Sequence, residues 1–189
     1  MAQAAGKDPY EFRRELLARS QRNLGVLDAC AEAAGGGQPL PSGVHRGIAV
    51  QDSHGSYGAT VIEVSVNDKG VLDIKRVVSA VDPGYVVNPD SAVAQVQSCV
   101  VYGLMAALYG EVTIKNGRVE QSNFHDYPVM LLKHMPKVEA VLVPTGGFWG
   151  GMGEPPLAPL APALVNAIFA ATGKRIRSLP LRNHGITVV

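Results

Sequence analysis

The sequence has little of what several classes of functional site require. It holds only two cysteines, Cys30 and Cys99, and they lie far apart, without C-x-x-C or mixed Cys/His spacing. This spacing supports neither a disulfide framework nor a zinc or iron–sulfur centre built from this chain. Five histidines are present, but no two form an H-x-x-x-H pair. Each histidine is therefore expected to be a surface or core hydrogen-bonding group rather than a metal ligand.

An excess of charge is also lacking. Seventeen basic residues against sixteen acidic residues give a net charge of +1, and the lysines and arginines form no stripe with aromatic residues between them. This balance argues against a nucleic-acid surface. The N-terminus has no signal-peptide pattern, and no uninterrupted apolar run is long enough to span a bilayer. We therefore predict a cytoplasmic chain without a transmembrane segment, which could reach the periplasm only with an exported partner.

Apolar residues are abundant, at 47% of the chain against 17% charged residues, which is typical of a globular protein. Residues 9–33 are predicted to form one amphipathic helix, with Asp8 as its cap and Pro9 in its first turn. The glycine- and proline-rich stretch that follows predicts a linker. We accordingly expect a linking helix within residues 1–34, a linker at 35–45 and a domain over residues 46–189.

Strands and helices are mixed within this domain. Alternating apolar residues at 62–66 predict a strand, and Val96, Val100, Leu104 and Leu108 predict a long helix that Asp90 can cap. The other predicted elements are a returning strand at 71–78, a hairpin turn at Asn116-Gly117, a strand at 138–143 and a helix at 159–172 closed by Gly173. Because strands and helices do not alternate regularly, the predicted fold class is α+β.

One carboxylate is isolated in the stretch "GGFWGGMGEPPLAPLAP". Gly151 and Gly153 free the backbone before Glu154, whereas Pro155 and Pro156 restrict it afterwards. A rigidly held, partly desolvated carboxylate is suited to act as a general base. The alternative is that Glu154 only caps the helix that follows it. Spacing alone leaves both interpretations open.

A family resemblance favours the first interpretation. The segment "GGMGEPPLAPLAPALVNAIFAATGKRIRSLPL" resembles the C-terminal end of the molybdopterin-binding subunit of xanthine dehydrogenase-family molybdenum hydroxylases. The segments "AGKDPYEFRRELL", "HRGIAV" and "AVDPGYVVNPDSAVAQVQSCVVYGLMAALYGEVTIKNGRVEQSNFHDYPV" also follow that family in order and spacing. The similarity is greatest to isoquinoline 1-oxidoreductase-like and aldehyde-dehydrogenase-like enzymes. It implies that the α+β domain corresponds to the second molybdopterin-binding domain of the large subunit.

The resemblance also implies roles for individual residues. Glu154 corresponds to the catalytic general base of the G-x-G-E-P motif, and Gln95 and Gly153 are cofactor-binding residues, whereas no residue here is a metal ligand. The implied reaction oxidises an aldehyde or N-heterocycle with oxygen from water, and electrons leave through iron–sulfur clusters on another subunit. The cofactor is a molybdenum-pterin, expected in its cytosine dinucleotide form and shared with a longer partner chain. Phe148 and Trp149 either line a substrate channel or simply pack.

The sequence departs from the family pattern in three ways. Pro156 follows G-E-P, where the usual bacterial form has glycine. The segment "QVQSC" replaces the more frequent Q-x-E-G-G, and a complete family subunit is several times longer, with cofactor loops that this sequence lacks. Two interpretations follow. The chain is one part of a split molybdenum hydroxylase, or it is a non-catalytic remnant or accessory subunit that only stabilises a partner chain.

Overall fold

The computed structural model describes residues 1–188, and its N-terminal region contains two helices rather than one. Helix α1 spans Pro9–Leu16 and helix α2 spans Gln21–Ala33. The prediction of a single helix over residues 9–33 is wrong because the backbone leaves the helical region at Ser20 (φ −115°, ψ 85°). The Asp8 cap is confirmed, since its Oδ1 accepts hydrogen bonds from the N–H groups of Tyr10 and Glu11.

A five-stranded sheet forms the centre of the domain. Strands β1 (His45–Ser53), β2 (Ser56–Val66) and β3 (Val71–Asp82) form an antiparallel meander. Strand β6 (Lys137–Leu142) then pairs in parallel with the C-terminal half of β3, and the short β7 (Thr187–Val188) pairs in parallel with its start. The predicted strands are confirmed.

The remaining elements connect and cover the sheet. Helix α3 (Pro89–Leu108) connects β3 to the small hairpin of β4 (Ile114–Lys115) and β5 (Arg118–Val119), which precedes β6, and helix α4 is Leu160–Thr172. Short 3-10 helices lie at Gln3–Ala5, Leu132–His134 and Leu181–His184. The predicted turn at Asn116-Gly117 is confirmed, with φ values of 51° and 75°.

Helix α3 begins differently from the prediction. Asn88, not Asp90, is its N-cap, and the Asn88 side chain accepts a hydrogen bond from the N–H of Ser91. Pro89 occupies the first helical position, which makes the residue before it the cap. By length and composition alone α3 could cross a bilayer, but a core helix meets the same test, and Val96 and Leu104 are fully buried within it.

Two apolar clusters lie on opposite faces of the sheet. Helices α3 and α4 cover one face, where Ile62, Val64, Leu104 and Leu164 are fully buried. Helix α2 covers the other face with Val26, Leu27 and Cys30 against the sheet residues Ile48, Ala59, Val61, Val78 and Ala80. The molecule is thus a sheet between helical layers, and the predicted α+β class is confirmed. The division at residues 1–34, 35–45 and 46–189 stays a prediction, although α2 packs directly on the sheet.

Candidate functional site

The loop between β6 and α4, residues 143–159, carries Glu154 and is tied to the end of β3. The N–H of Gly146 donates to the carbonyl of Gly84 at 2.8 Å, and the N–H of Gly150 donates to the carbonyl of Pro83 at 2.9 Å. These backbone bonds hold the first part of a long connection that has no regular secondary structure. Such a connection is costly to order unless bonds of this kind fix it.

An ion pair between Arg22 and the buried Asp82 anchors the base of this loop. We call the cluster of Arg22, Asp82, Gly84 and Thr145 the Asp82 junction. The fully buried Asp82 accepts hydrogen bonds from Arg22 Nε at 2.5 Å, from the N–H of Gly84 and from Thr145 Oγ1, both at 2.8 Å. Burial raises the pKa of Asp82, but these three hydrogen bonds and a fourth from the N–H of Thr145 outweigh burial and hold the pKa below its usual value. The junction therefore joins α2, β3 and the loop through one ionised carboxylate.

Two glycines allow the loop to approach its neighbours closely. At Gly84 (φ 84°) a Cβ would lie 2.2 Å from the carbonyl oxygen of Phe148, and at Gly150 a Cβ would lie 2.0 Å from Ser56 Oγ. Neither distance leaves room for a side chain. The loop backbone therefore lies directly against both the turn after β3 and the hairpin turn before β2.

Glu154 follows these contacts and is exposed. The next two residues, Pro155 and Pro156, are buried, and the carbonyl of Glu154 accepts a hydrogen bond from the N–H of Leu157 at 2.8 Å. The apolar neighbours of Glu154 in the sequence therefore do not bury it, because the two prolines take the buried positions. The capping interpretation is wrong, since α4 has Pro159 at its N-cap and no side-chain capping bond.

The three predicted site residues lie together. Gln95 is exposed on α3, and its Oε1 is 3.9 Å from the position a Cβ of Gly153 would occupy, directly before Glu154. Sequence reasoning missed Cys99, one helical turn after Gln95, whose Sγ lies 3.0 Å from the carbonyl oxygen of Gly153. The available signals were the i, i+4 spacing on one helix face and the departure of "QVQSC" from the family pattern.

The Cys99 thiol is a hydrogen-bond donor in this position. Burial raises its pKa, and the nearby charge of Glu154 raises it further, against a lowering contribution from the backbone N–H of Leu157. The thiol therefore stays protonated and can donate to the Gly153 carbonyl. Cys99 is itself only 3% exposed.

The two glycines before Glu154 have few atoms in front of them. A Cβ at Gly151 would have no atom within 4 Å, and one at Gly153 would approach only the Gln95 side chain. Backbone groups and one side-chain amide are thus accessible without bulky side chains in front of them, which fits a polar organic cofactor. Within residues 1–188, no group of three or more His, Cys, Asp or Glu side chains is arranged to hold a metal ion.

Aromatic side chains are exposed on the same loop. The rings of Trp149 and Tyr85 lie 5.5 Å apart between centroids at an angle of 49°, and the Phe148 ring lies against Gly55. Phe148 and Trp149 remain 74% and 62% exposed. They therefore make local contacts without entering the core, and their role in a substrate channel stays a prediction.

Comparisons with known proteins agree with this architecture. Residues 21–136 match the family model of the molybdopterin cofactor-binding domain. The chain is 34% identical to isoquinoline 1-oxidoreductase subunit beta of Brevundimonas diminuta, over 96% of this chain and 24% of the relative. It is 32% identical to the xanthine dehydrogenase molybdenum-binding subunit of Escherichia coli O157:H7, over 67% of this chain and 18% of that subunit.

A solved structure shares the fold. The aldehyde oxidoreductase from Desulfovibrio gigas superposes with a TM-score of 0.57 and 23% identity, over 83% of this chain and 20% of that chain. The chain thus spans about a quarter or less of the length of these relatives.

Proposed function

The chain belongs to the molybdopterin cofactor-binding domain family, and from this premise we propose that it is the part of a molybdenum hydroxylase that carries the catalytic base. The observation that carries the proposal is the exposed Glu154, which lies on a tied loop directly after Gly153, the glycine beside Gln95. A general base must come within hydrogen-bond reach of the proton that it takes, and an exposed acid on constrained backbone allows a bound substrate that reach.

Gln95 and Gly153 would hold the cofactor. The Gln95 side chain offers amide donors and an acceptor, and Gly153 presents backbone without a side chain in the way. When bound, a molybdenum-pterin cofactor supplies the redox centre that receives the substrate electrons. We propose its cytosine dinucleotide form by the family resemblance, and no residue of this chain is assigned to the nucleotide.

Glu154 would accept the proton from the water-derived oxygen that attacks an electron-poor carbon of the substrate. Because Pro155 and Pro156 are buried and the loop is tied before and after Glu154, the carboxylate has few backbone positions to search. Limited motion favours productive alignment of base and nucleophile.

The proposed substrates are aldehydes or N-heterocycles, in keeping with relatives named for isoquinoline, xanthine and aldehyde oxidation. The proposed partners are a longer molybdopterin-binding chain and an iron–sulfur subunit. Several large apolar side chains are exposed and support a partner surface: Tyr102, Phe124, Leu132 and Trp149. We propose a cytoplasmic location, or a periplasmic one if the partner is exported.

The first experiment tests whether the chain belongs to a working assembly. A tagged chain is purified from its native host, and partner chains and molybdenum are measured. Partners with about one molybdenum per assembly, the stoichiometry of one cofactor site, support the split enzyme. A solitary, metal-free chain supports the alternative, a non-catalytic remnant or accessory subunit.

The second experiment tests the base in that assembly. Glu154→Gln keeps the shape of the side chain and removes the base, so kcat should fall about 100- to 10,000-fold. Molybdenum content should not change. Glu32→Gln, at an exposed acid on α2, is the matched control. Turnover by Glu154→Gln near the unsubstituted rate would contradict the proposal.

A further inference from the structure

The polypeptide on the N-terminal side of Glu154 is held by two buried side chains from different layers of the fold. Ser56, the first residue of β2, donates its hydroxyl to the carbonyl of Gly151 at 2.6 Å. Cys99, in the middle of α3, donates its thiol to the carbonyl of Gly153 at 3.0 Å. Ser56 and Cys99 are 0% and 3% exposed, so both donors are fixed within the packed structure, whereas Gly151 and Gly153 are exposed.

These two bonds act where the backbone has most freedom. Gly151 and Gly153 carry no Cβ, and Gly151 has open space around it. Glycine backbone samples many conformations unless contacts restrict it. The bonds hold alternate carbonyls of the segment immediately before the carboxylate, whereas the buried Pro155 restricts the segment after it.

We propose that Ser56 and Cys99 are positioning residues, which set the place of the Glu154 carboxylate by holding the carbonyls of Gly151 and Gly153. The proposal rests on the proposed function, in which Glu154 is the base. Neither side chain needs to touch substrate or cofactor. Their effect reaches the reaction through the backbone, because a displacement of about 1 Å of a reacting group can reduce the rate about 100-fold.

The position of Cys99 on α3 adds a second consequence. Gln95 lies on the same helix one turn earlier, beside Gly153. One helix therefore carries both the proposed cofactor contact and the group that holds the loop of the base. A rigid element that fixes two functional groups preserves their relative placement better than two independent loops would.

The experiment uses the assembly purified from the native host. Ser56→Ala and Cys99→Ala each remove one donor, and Cys99→Ser restores a donor at the same site. Kinetic constants are measured per molybdenum, and hydrogen–deuterium exchange is measured at the amides of Gly150 and Leu157. Cys30→Ser is the matched control, because Cys30 is a second buried thiol that donates to a carbonyl, that of Val78, in the apolar cluster between α2 and the sheet.

The proposal expects kcat to fall about 10- to 100-fold in Ser56→Ala and Cys99→Ala, with KM little changed and exchange faster at both amides. Cys99→Ser should recover most of the rate. Cys30→Ser should leave kcat per molybdenum and loop exchange unchanged, even if it lowers thermal stability. If Cys99→Ala does not assemble, Ser56→Ala carries the test alone.

Unchanged kcat and unchanged exchange in Ser56→Ala would overturn the proposal. Failure of the proposed function is a separate outcome, because it appears in Glu154→Gln. A slow Glu154→Gln enzyme with normal Ser56→Ala and Cys99→Ala variants would leave the base assigned and reject the positioning residues. An active Glu154→Gln enzyme would reject the base itself, whatever the exchange data show.

Discussion

Asp82 and Glu154 are two carboxylates associated with the same loop, in opposite environments. Asp82 is fully buried and accepts hydrogen bonds from Arg22, Gly84 and Thr145, whereas Glu154 is exposed. Asp82 stabilises the fold, because each hydrogen bond that it accepts also fixes the position of a neighbouring residue. The exposed acid is free to accept a proton from outside. The two roles therefore fall on different residues: Asp82 at the end of β3 anchors the loop, and Glu154 on the loop is the proposed base.

The comparison predicts its largest effect on stability at the Asp82 junction. Asp82→Ala leaves the partly buried Arg22 without its partner, so the free energy of unfolding should fall by about 3 kcal/mol. Glu154→Gln should change it by less than about 0.5 kcal/mol, as expected of an exposed site. Denaturant titration of both variants measures this. Equal stability of the two would remove the distinction between the carboxylates.

A smaller effect is expected where the loop crosses the turn after β3. Gly84→Ala places a Cβ against the Phe148 carbonyl at a positive φ, which should cost about 1–3 kcal/mol. Gly151→Ala is the matched control, because a Cβ there would have open space. Thermal unfolding of both variants measures the difference. If Gly84→Ala proves as stable as Gly151→Ala, the close approach of the Phe148 carbonyl to Gly84 does not restrict the residue at position 84.

A still smaller effect is expected in the pH dependence of the unfolding free energy. It comes from the ion pair of Glu139 and Arg76 on the sheet. Hydrogen bonds from Arg76 and then Lys137 lower the pKa of Glu139 from 4.5 to about 2. Since the folded value is the lower one, this stabilisation is complete above about pH 4.5 and is lost as the pH falls towards 2. The pair is partly exposed, so its contribution should be under about 1 kcal/mol.

Glu139→Gln measures that contribution. The variant should flatten the curve of unfolding free energy against pH between about pH 4.5 and 2, and leave its shape above pH 5 unchanged. The pKa of Asp82 is lowered as well, so its share of acid sensitivity should persist in the variant. A curve identical to that of the unsubstituted protein would show that the Glu139 pair is too weak to matter.

The smallest effect on stability is expected at Gln95. Its side chain is exposed, so Gln95→Ala should change the unfolding free energy by less than about 0.5 kcal/mol. As a proposed cofactor contact, it should instead lower the molybdenum content of the purified assembly. Gln97→Ala, at another exposed position of α3, is the control. Full molybdenum content in Gln95→Ala would remove Gln95 from the cofactor contacts.

Much of the fold could be predicted because its signals are local. The spacing of Val96, Val100 and Leu104 indicates the buried face of α3, and Asn116-Gly117 indicates a hairpin turn. The break near Ser20 was missed because helical spacing of apolar residues continues across it, although serine is itself a favoured cap. The prediction of Asp90 as the cap was wrong because Pro89 takes the first helical position and so makes Asn88 the cap.

The candidate site was only partly predictable, because its contacts join distant parts of the chain. Ser56 and Gly151 are 95 residues apart, and Cys99 and Gly153 are 54 residues apart. No local pattern specifies such pairs. The exposure of Glu154 was also missed, since apolar neighbours suggested burial and the structure gives the buried positions to the two prolines instead.

The loop is fastened to both sides of the sheet at once, and this has a geometric consequence. Through the Asp82 junction it is bound to Arg22 on α2, and through Cys99 it is bound to α3 on the opposite face. The segment between Thr145 and Gly153 therefore connects the helical layer of α2 to the helical layer of α3. A change in the distance between the two helical layers would therefore strain this segment, which ends directly before Glu154.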